Sequence, residues 1–502
     1  MVRRLFRDAL PLKRGEWGLA LFLYFLLTVM VGTDWIGKLG ADALFVKRYG
    51  IEKVPWMYIL TPIAMLAVSA LIFFFIDRMR RRTMLLVYVA SVTVFSIALQ
   101  YAINETGVTE SIVQPISYIF AHGVKETIYI LFWVYAGNLY DAEQSKRLFP
   151  FFAGSVLVGK ILGGFAGAAI APIIHAENFI GAQAVGFGVC FIALLLYRGL
   201  PEGKGGKVDD KHRPGGVRAT ISESVDGYKA VASDPLMRTF GVGVFFWYFL
   251  MQFANFLYLL GLDQSTQNAS AISGEDTFAV LYGSVYTSSS LVALFIQSFM
   301  TTGLLRRFGV VAMLFVVPLW YIATYGWAAA TITFDQAKGL WELGLLAGIA
   351  LQLGERIWIP AIHRPAAELV YSQVAASIRP RARAFLSGGV NAIGNMFAAV
   401  GLIVGLKYSD TQTLLATGAA LSVVYLYNTA HVRRIFGQRI AQNLVSPDPD
   451  LRRNAADMLS SEPVPEESLR ALGNRIPADV EHGVHAALTR RGILAVAADV
   501  TE

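Results

Sequence analysis

Cysteine and charged residues are scarce in this sequence, and each scarcity excludes a class of protein. Cys190 is the only cysteine among 502 residues, so the chain forms no intramolecular disulfide and no cluster of metal-binding thiolates. Asp, Glu, Lys and Arg make up 16% of the residues, whereas 55% are hydrophobic. Soluble globular proteins carry about 25% charged residues. The composition therefore predicts a membrane protein.

Sequence signatures of catalysis are also missing. The seven histidines show no HExxH or other metal-ligand spacing, and no GxSxG nucleophile elbow occurs. Residues 154–160 read GSVLVGK, which has the spacing of a phosphate-binding P-loop, but Ile161 replaces the hydroxyl that binds magnesium. The segment also lies in a hydrophobic run that keeps its amides bonded internally. We predict that the protein is not an enzyme and needs no cofactor and no metal.

Long apolar runs are abundant instead. Roughly twelve of them could cross about 30 Å of hydrocarbon. The first six are Trp17 to Trp35, Val54 to Ile76, Met84 to Ala102, Ile112 to Ala136, Phe151 to Ile174 and Phe179 to Leu196. The second six are Thr239 to Leu262, Phe278 to Leu305, Val310 to Thr331, Leu340 to Ile359, Phe385 to Leu406 and Leu414 to His431.

The net charge of +7 comes from basic residues that fall in alternate loops. The opposite loops are nearly free of Lys and Arg, except the first, which holds Lys38, Lys47, Arg48 and Lys53. This bias predicts a bacterial inner membrane protein with both termini in the cytoplasm. Charged residues predicted for the gating loops on the cytoplasmic side are Asp77, Arg78, Lys146, Arg147, Arg306 and Arg381.

Two segments break the hydrophobic pattern. Residues 197–234 become charged and glycine-rich, which is typical of a flexible connector. After His431 the hydrophobicity falls, and residues 448–459 and 479–488 have the apolar spacing of HEAT-type helices. The predicted domains are six-helix bundles at 1–196 and 235–437, a cytoplasmic linker at 197–234, and a cytoplasmic HEAT-like helical tail at 438–502.

The two halves of the chain echo each other. Residues 389–395 (GVNAIGN) match GSVLVGK at a constant offset, so Arg381 falls opposite Lys146 and Asn395 opposite Lys160. A parallel repeat of six helices is the pattern of major-facilitator transporters. The predicted fold class is therefore all-α: a polytopic membrane protein with twelve transmembrane helices in two six-helix bundles, plus a small cytoplasmic helical tail.

Glycines in the fifth predicted helix indicate close helix packing. Gly159, Gly163 and Gly167 stand four residues apart, which places backbone rather than side chains along one stripe. Lys160 lies in the same apolar helix, so it is expected to face a cavity or a partner. Extension of its side chain to the lipid headgroups is the alternative.

Ionisable residues inside the membrane segments are the candidate functional residues. Asp34, Lys38 and Asp42 share one helix face if the first helix continues past its predicted end. Residues predicted to bind an anionic solute are Lys38, Lys125, Lys160, Arg356, Asn391 and Asn395. Carboxylates predicted to carry protons or to hold the cations are Asp34, Asp42, Glu126, Glu355 and Glu368, the last in a loop. Internal ion pairs that fix the packing remain an alternative, although the adjacent Lys125 and Glu126 point in different directions.

Three parts of the sequence resemble the ATP/ADP carrier protein family, the nucleotide exchangers of plastids and obligate intracellular bacteria. They are residues 42–60 (DALFVKRYGIEKVPWMYIL), residues 140–164 (YDAEQSKRLFPFFAGSVLVGKILGG), and residues 364–371 with 379–385 (RPAAELVY and RPRARAF). The resemblance implies a major-facilitator-like architecture of twelve helices and exchange of ATP for ADP.

The charged residues of that family correspond only in part to residues here. Its Lys–Asp pair in the first helix falls on Ala41 and Asp42. Glu368 matches a glutamate of its later acidic motif. Ala367 stands here where that family has a cationic residue next to the glutamate. Asn395 stands where a lysine is expected.

We therefore expect a secondary transporter that works by alternating access on a nucleotide or another phosphorylated or anionic metabolite. Its partners would be this small anionic solute and the lipid bilayer, and no nucleic acid. Transport of a lipid or another non-nucleotide solute is one alternative. A non-transporting membrane sensor or scaffold, whose C-terminal tail binds a protein partner, is another.

Overall fold

Helices make up most of the part of the chain that the computed structural model describes. These residues are 16–76, 79–105, 110–140, 142–197, 216–266, 274–338, 341–375, 378–459, 461–462, 464–465 and 467. No β-strand occurs among them. The predicted all-α class is confirmed.

The first half of the chain forms seven described helices. They are α1 (Trp17–Leu44), α2 (Val54–Ile76), α3 (Arg81–Asn104), α4 (Glu110–Leu139), α5 (Ala142–Ile174), α6 (Phe179–Leu196) and α7 (Gly216–Ser233). A π-helical turn, Phe45–Tyr49, continues α1 and ends at Gly50, whose φ of 108° a residue with a side chain rarely adopts.

The second half forms eleven α-helices within the described ranges, from five to 33 residues long. They are α8 (Pro235–Thr266), α9 (Gly274–Phe299), α10 (Thr301–Phe308), α11 (Val310–Leu314), α12 (Val316–Lys338), α13 (Trp341–Leu353), α14 (Arg364–Ser372), α15 (Arg379–Ala384), α16 (Asn391–Tyr408), α17 (Thr411–Asn443) and α18 (Pro449–Leu459). A π-helical segment, Gly354–His363, joins α13 to α14, and another, Phe385–Val390, joins α15 to α16.

Local sequence explains where several of these helices begin. The Asp234 carboxylate accepts from the amides of Leu236 and Met237 at 2.9 and 3.1 Å and so caps α8. Asp410 caps α17 in the same way. Proline stands in the first turn of α14 and of α15, where its missing N–H costs no hydrogen bond.

The membrane prediction agrees with the helices that the chain forms. Ten of the described helical stretches are long and apolar enough to cross a membrane. The other two predicted spans lie on α4 and α17, which are helical over 30 and 33 residues but more polar. The chain is a multi-pass membrane protein.

The chain divides into two compact units. Unit 1 contains residues 1–220 and 256–291, and unit 2 contains residues 221–255 and 292–502. The three boundaries fall inside α7, α8 and α9, and residues 256–291 of the second half belong with the helices of the first half. The division into two bundles, a linker and a tail stays a prediction.

In unit 1, α5 packs against α1 at the glycines that the sequence singled out. A Cβ added at Gly163 would lie 2.3 Å from the carbonyl oxygen of Gly32, and one at Gly159 would lie 2.7 Å from that of Thr28. At Gly167 the added atom would lie 2.5 Å from a methyl of Leu39. The predicted close approach along this stripe is confirmed.

A neighbouring glycine brings α5 equally close to α9. A Cβ added at Gly164 would meet Thr287 Oγ1 at 2.6 Å, and one at Gly283 would meet the Gly164 carbonyl oxygen at 2.7 Å. Both helices therefore lie backbone to backbone at this point. In lipid, where apolar side chains gain nothing by leaving the solvent, such contacts are a main source of helix association.

Part of the predicted linker and part of the predicted tail are helical. Residues 216–233 form α7, so the prediction of a flexible connector is wrong there, and residues 198–215 lie outside the described residues. In the tail, α18 coincides with the predicted helix at 448–459. The helix predicted at 479–488 lies outside the described residues.

The start of the tail is anchored in unit 2. Glu462, 1% exposed, accepts hydrogen bonds from the backbone amides of Val310 and Val311, the first of them very short. Gly309, with φ of 83°, precedes these amides, and a Cβ there would lie 2.7 Å from a Glu462 carboxylate oxygen. A carboxylate thus occupies the amino end of α11, where helix dipoles favour negative charge.

Candidate functional site

A stripe of charged residues follows α1 inside its membrane span. Because α1 is helical to Leu44, the shared face predicted for Asp34, Lys38 and Asp42 is available. Asp34 and Asp42 are 1% and 2% exposed, and Lys38 Nζ lies 3.7 Å from Asp42 Oδ2. A carboxylate buried at this depth is costly unless a charge or a donor compensates it, so Lys38 stabilises Asp42 in place.

Aromatic rings of α1 and α9 hold the Lys38 ammonium. Its Nζ lies 4.7 Å from the ring centroid of Trp35 and 5.8 Å from that of Tyr282, whose hydroxyl is 3.4 Å away. Tyr286 packs on Trp35 with ring centroids 3.7 Å apart. Cation–π contacts are worth up to about 2 kcal/mol when desolvated, so the ammonium has a defined position.

The helix α4 adds a histidine to this group. His122 Nδ1 donates to the Tyr118 carbonyl oxygen at 2.9 Å, and the two rings stack with centroids 4.1 Å apart. Its Nε2 lies 3.6 Å from Asp42 Oδ1. Asp42 is therefore in contact with the Lys38 ammonium on one side and the His122 imidazole on another.

One turn further along α4, Lys125 and Glu126 form an ion pair. Lys125 Nζ lies 3.1 Å from Glu126 Oε1, and their side chains are 35% and 58% exposed. Although adjacent residues point in different directions on a helix, both side chains are long enough to meet. The pair is partly open, so a solute could replace either partner.

Asp34 is the carboxylate at the centre of the field made by these lysines. Lys125, Lys38 and Lys160 act on it electrostatically as opposite charges, and Glu126 as a like charge. Its Oδ1 has no hydrogen-bond partner in the described part of the chain. The close packing of Gly159 on α1 keeps Lys160 near this stripe. A buried polar atom without a partner calls for an explanation, such as a bound water, ion or solute.

We call these six residues the unit-1 charge cluster: Asp34, Lys38, Asp42, Lys125, Glu126 and Lys160. Its three lysines and three carboxylates cancel in formal charge. An anion that binds one of the lysines must therefore compete with a carboxylate of the cluster.

Predicted residues in unit 2 lie on or beside the π-helical segment Gly354–His363. Gln352 Nε2 donates to Glu355 Oε2 at 2.7 Å. Arg356 is 8% exposed, so its guanidinium lies inside the unit. π-Helical turns occur often at functional sites, because the extra residue reorients neighbouring side chains. The roles of Glu355 and Arg356 stay predictions.

Three further predicted residues, Glu368, Asn391 and Asn395, lie after that segment. Glu368, expected in a loop, is on α14 and forms an ion pair with Arg383 of α15. The loop prediction is wrong because the π-helical segment continues the helix through Pro360. Asn395 Nδ2 donates to Asn391 Oδ1 at 2.9 Å along α16, so the two amides bind each other.

The residues predicted for the gating loops are only partly described. Asp77 and Arg78 lie outside the described residues. The backbone of Lys146 and Arg147 is in the first turns of α5, Arg306 is on α10 and Arg381 is on α15. Their gating role stays a prediction.

A second group of charges, which sequence reasoning missed, surrounds the end of α1. Arg48 binds both oxygens of Glu275 at 2.6 and 3.0 Å and Glu177 Oε2 at 2.8 Å. Lys47 Nζ lies 2.8 Å from Asp263 Oδ1 and 2.9 Å from its carbonyl oxygen. Bidentate arginine pairs of this kind are strong and fix geometry.

Asp276 at the start of α9 completes this group. Its Oδ2 lies 2.7 Å from His175 Nδ1, and its Oδ1 accepts from the amide of Ala176 at 2.6 Å. We call the whole group the α1-end cluster: Lys47, Arg48, His175, Glu177, Asp263, Glu275 and Asp276.

One signal in the sequence pointed to this cluster. Lys47 and Arg48 were exceptions to the otherwise basic-poor loops of that side. The structure gives the reason, because each is matched by acidic side chains from Glu177, Asp263 or Glu275. Partners that are more than a hundred residues distant cannot be found from local sequence.

Solved structures share this fold at low sequence identity. The nucleoside transporter NupG is 16% identical, with 83% of this chain and 99% of that chain covered and a TM-score of 0.58. A POT family transporter in complex with 5-aminolevulinic acid is 13% identical, with 82% and 96% covered and a TM-score of 0.55.

A bacterial homolog of the human lysosomal transporter Spinster is 13% identical, with 90% of this chain and 100% of that chain covered and a TM-score of 0.51. No protein-family model and no curated protein matches the chain. The chain shares the fold of these transporters, and at these identities the likeness establishes the fold alone.

Proposed function

We propose that this chain is a secondary transporter that works by alternating access, with the unit-1 charge cluster as part of its solute site. One observation carries the proposal. Asp34 is 1% exposed within a membrane span, three lysines act on it, and its Oδ1 has no hydrogen-bond partner in the described residues. Ionisable groups at this depth line solute or ion pathways in membrane proteins.

Purely structural ion pairs account less well for this arrangement. Lys38 with Asp42 and Lys125 with Glu126 could serve packing alone, since each charge has a partner within 4 Å. If Asp34 served packing alone, its Oδ1 would be expected to have a hydrogen-bond donor, because leaving a buried polar atom unbonded costs about 1–3 kcal/mol. A site in which a bound solute or a proton supplies the missing hydrogen bond explains the unbonded Oδ1 of Asp34.

An anionic solute fits the cluster best. Lysines offer ammonium groups to carboxylate or phosphate oxygens, and the partly open Lys125 can exchange Glu126 for a solute oxygen. Because the formal charges of the cluster cancel, a bound anion leaves the site negative unless a carboxylate takes up a proton or another anion leaves in exchange. Both routes couple solute movement to a second species.

The finer proposal is a nucleotide or another phosphorylated metabolite, moved in an ATP/ADP-carrier-like exchange across a bacterial inner membrane with both termini in the cytoplasm. The motifs in residues 42–60 and 140–164 that resemble the ATP/ADP carriers support it. NupG is named a nucleoside transporter, which is a related solute class.

Ligand-induced thermal stabilisation of the detergent-purified protein tests this function, because a ligand that binds only the folded state raises its apparent stability. The panel is ATP, ADP, orthophosphate, uncharged adenosine and lipids. We expect a shift with phosphorylated compounds that Lys160→Gln and Lys125→Gln abolish. The matched control is Lys407→Gln, an exposed lysine at the end of α16.

Two outcomes would contradict the proposal. A shift that remains complete in Lys160→Gln and Lys125→Gln would remove the cluster from the site. A shift with lipid or adenosine and none with the anions would replace the solute class. Uptake of the stabilising compound into proteoliposomes then establishes transport itself.

The sensor or scaffold alternative receives less support. The described start of the tail is bound within unit 2, because Glu462 is buried against the first turn of α11. Gln373 Oε1 also accepts a hydrogen bond from Asn443 Nδ2, and its Nε2 donates to the sulfur of Met458, which ties α18 to the same unit. A HEAT-like repeat in residues 438–502 remains the finer proposal for the tail, with α18 as one of its helices.

A further inference from the structure

The turn between α5 and α6 is shaped around Asp276. This carboxylate is 0% exposed, and both of its oxygens are bound by consecutive residues of the turn, His175 through its ring and Ala176 through its amide. His175 has a φ of 63°, which residues other than glycine seldom adopt. Such a conformation persists where the surroundings determine it, and here the bonds to Asp276 do so.

The charge of the α1-end cluster depends on one proton. Four carboxylates face two cations, Lys47 and Arg48, so protonation of His175 reduces the net charge from −2 to −1. Among the described residues, the charged groups that face His175 are Asp276 and Glu275 on α9, Glu177 on its own turn, and Arg48 and Lys47 at the end of α1.

Solvent reaches the His175 ring, whose pKa is raised. The side chain is 59% exposed and lines an open cavity of about 580 Å³ together with Arg48 and Glu275. The hydrogen bond to Asp276 and the charge of that carboxylate raise the pKa of His175 above its ordinary value, and Glu177 adds to this. The attraction is complete below about pH 6.5 and is lost as the pH rises through the raised pKa.

We propose that the α1-end cluster is a pH-sensitive latch, in which protonated His175 holds the start of α9 against the turn between α5 and α6, and deprotonation releases it. The latch joins residues of the first half of the chain to residues 263–276 of the second half. It rests on the proposed function, because alternating access requires the two halves of a transporter to part on one face at a time.

A buried reporter cysteine measures the release. Ala279 is 0% exposed and lies about one turn beyond Asp276 on α9, so Ala279→Cys reacts with a maleimide only when this region opens. Cys190, the only native cysteine, is replaced by alanine. The reporter is compared in proteins with native His175, with His175→Lys and with His175→Gln from pH 6 to pH 9. Since the reactivity of the thiol itself changes with pH, rates are divided by those of the His175→Lys protein.

The expected ratio is near one at pH 6, where native His175 and the lysine are both cationic. The ratio rises with pH, by up to about tenfold per pH unit because one proton is linked, until it equals the ratio measured for His175→Gln. His175→Gln reacts fast at every pH. Asp276→Asn, which keeps the shape of the partner, removes the pH dependence, and substitution of the exposed His431 on α17 (His431→Gln) leaves it unchanged.

A ratio that stays constant from pH 6 to pH 9 would overturn the latch, as would a His175→Gln protein that reacts as slowly as the native one at pH 6. The native protein and Asp276→Asn suffice for this decision if the lysine variant does not fold. Maleimide labelling needs no solute, so it tests the latch independently of the binding and uptake measurements that test the proposed function. Failure of one therefore does not imply failure of the other.

Discussion

The glycine contact between α1 and α5 allows one prediction to be worked out in detail. A Cβ added at Gly163 lies 2.3 Å from the Gly32 carbonyl oxygen, 2.8 Å from its Cα and 2.9 Å from its carbonyl carbon. All three atoms are backbone, so no side chain can rotate away. Gly163→Ala therefore requires the two helices to separate by about 1 Å, and overpacking of this kind costs about 1–3 kcal/mol.

A second glycine of the same helix isolates that cost. A Cβ added at Gly154 has no atom within 4 Å, so Gly154→Ala has only the helix-propensity gain of alanine over glycine, roughly 1 kcal/mol. Both substitutions share this gain. The difference between them is therefore the packing term alone, and we expect Gly163→Ala to be less stable than Gly154→Ala by about 1–3 kcal/mol.

The free energy of unfolding is measured by reversible titration of the detergent-purified protein with SDS, followed by tryptophan fluorescence. The apparent unfolding temperature gives a second readout. Equal stability of the two alanine variants, within about 0.5 kcal/mol, would refute the backbone contact as described.

Three further substitutions have defined outcomes. Glu462→Gln removes the negative charge at the start of α11 and is expected to speed hydrogen exchange in α18, whereas the exposed Glu467→Gln leaves it unchanged. Hydrogen bonds from the hydroxyl and amide of Thr413 lower the pKa of Asp410, so the cap stabilises above about pH 3.9 and is lost as the pH falls through the lowered value. The difference in unfolding temperature between native protein and Asp410→Ala should therefore vanish in acid, and a difference that persists there would contradict the cap. Tyr325→Phe removes a 2.8 Å hydrogen bond to a backbone carbonyl of α8 and should lower the free energy of unfolding by about 0.5–1.5 kcal/mol in the SDS titration. An unchanged free energy of unfolding would contradict that hydrogen bond.

Much of the helical architecture could be predicted because lipid leaves a chain few choices. The predicted membrane segments lie on helices wherever they are described, and the four-residue spacing of Gly159, Gly163 and Gly167 located the contact with α1. Backbone groups in hydrocarbon must bond within their own segment, so a long apolar run of this kind is read as a helix. Helix lengths were less predictable, since α1 continues past its predicted end at Trp35 to Leu44, through residues as polar as Lys38 and Asp42.

Side-chain partners were harder to predict than helices. The candidate residues Lys38 and Asp42 lie four apart on one helix, so their pairing follows from helix geometry. Tyr282, which contacts Lys38, comes from a helix of the second half and has no sequence signal linking it to that lysine. His175 was noted only as a histidine without metal-ligand spacing, because its role depends on a left-handed turn that local sequence does not specify.

The π-helical segments have a consequence for how the side chains that face the interior of unit 2 could change. A π turn holds a residue that an α turn does not, so chain length can change there without breaking the helix. Deleting one residue within Gly354–His363 would convert a π turn into an α turn, so the helix on either side keeps its position while the residues of the segment itself shift by one place. A single insertion or deletion would then present a different set of side chains to the interior, an exchange that point substitutions could achieve only one residue at a time.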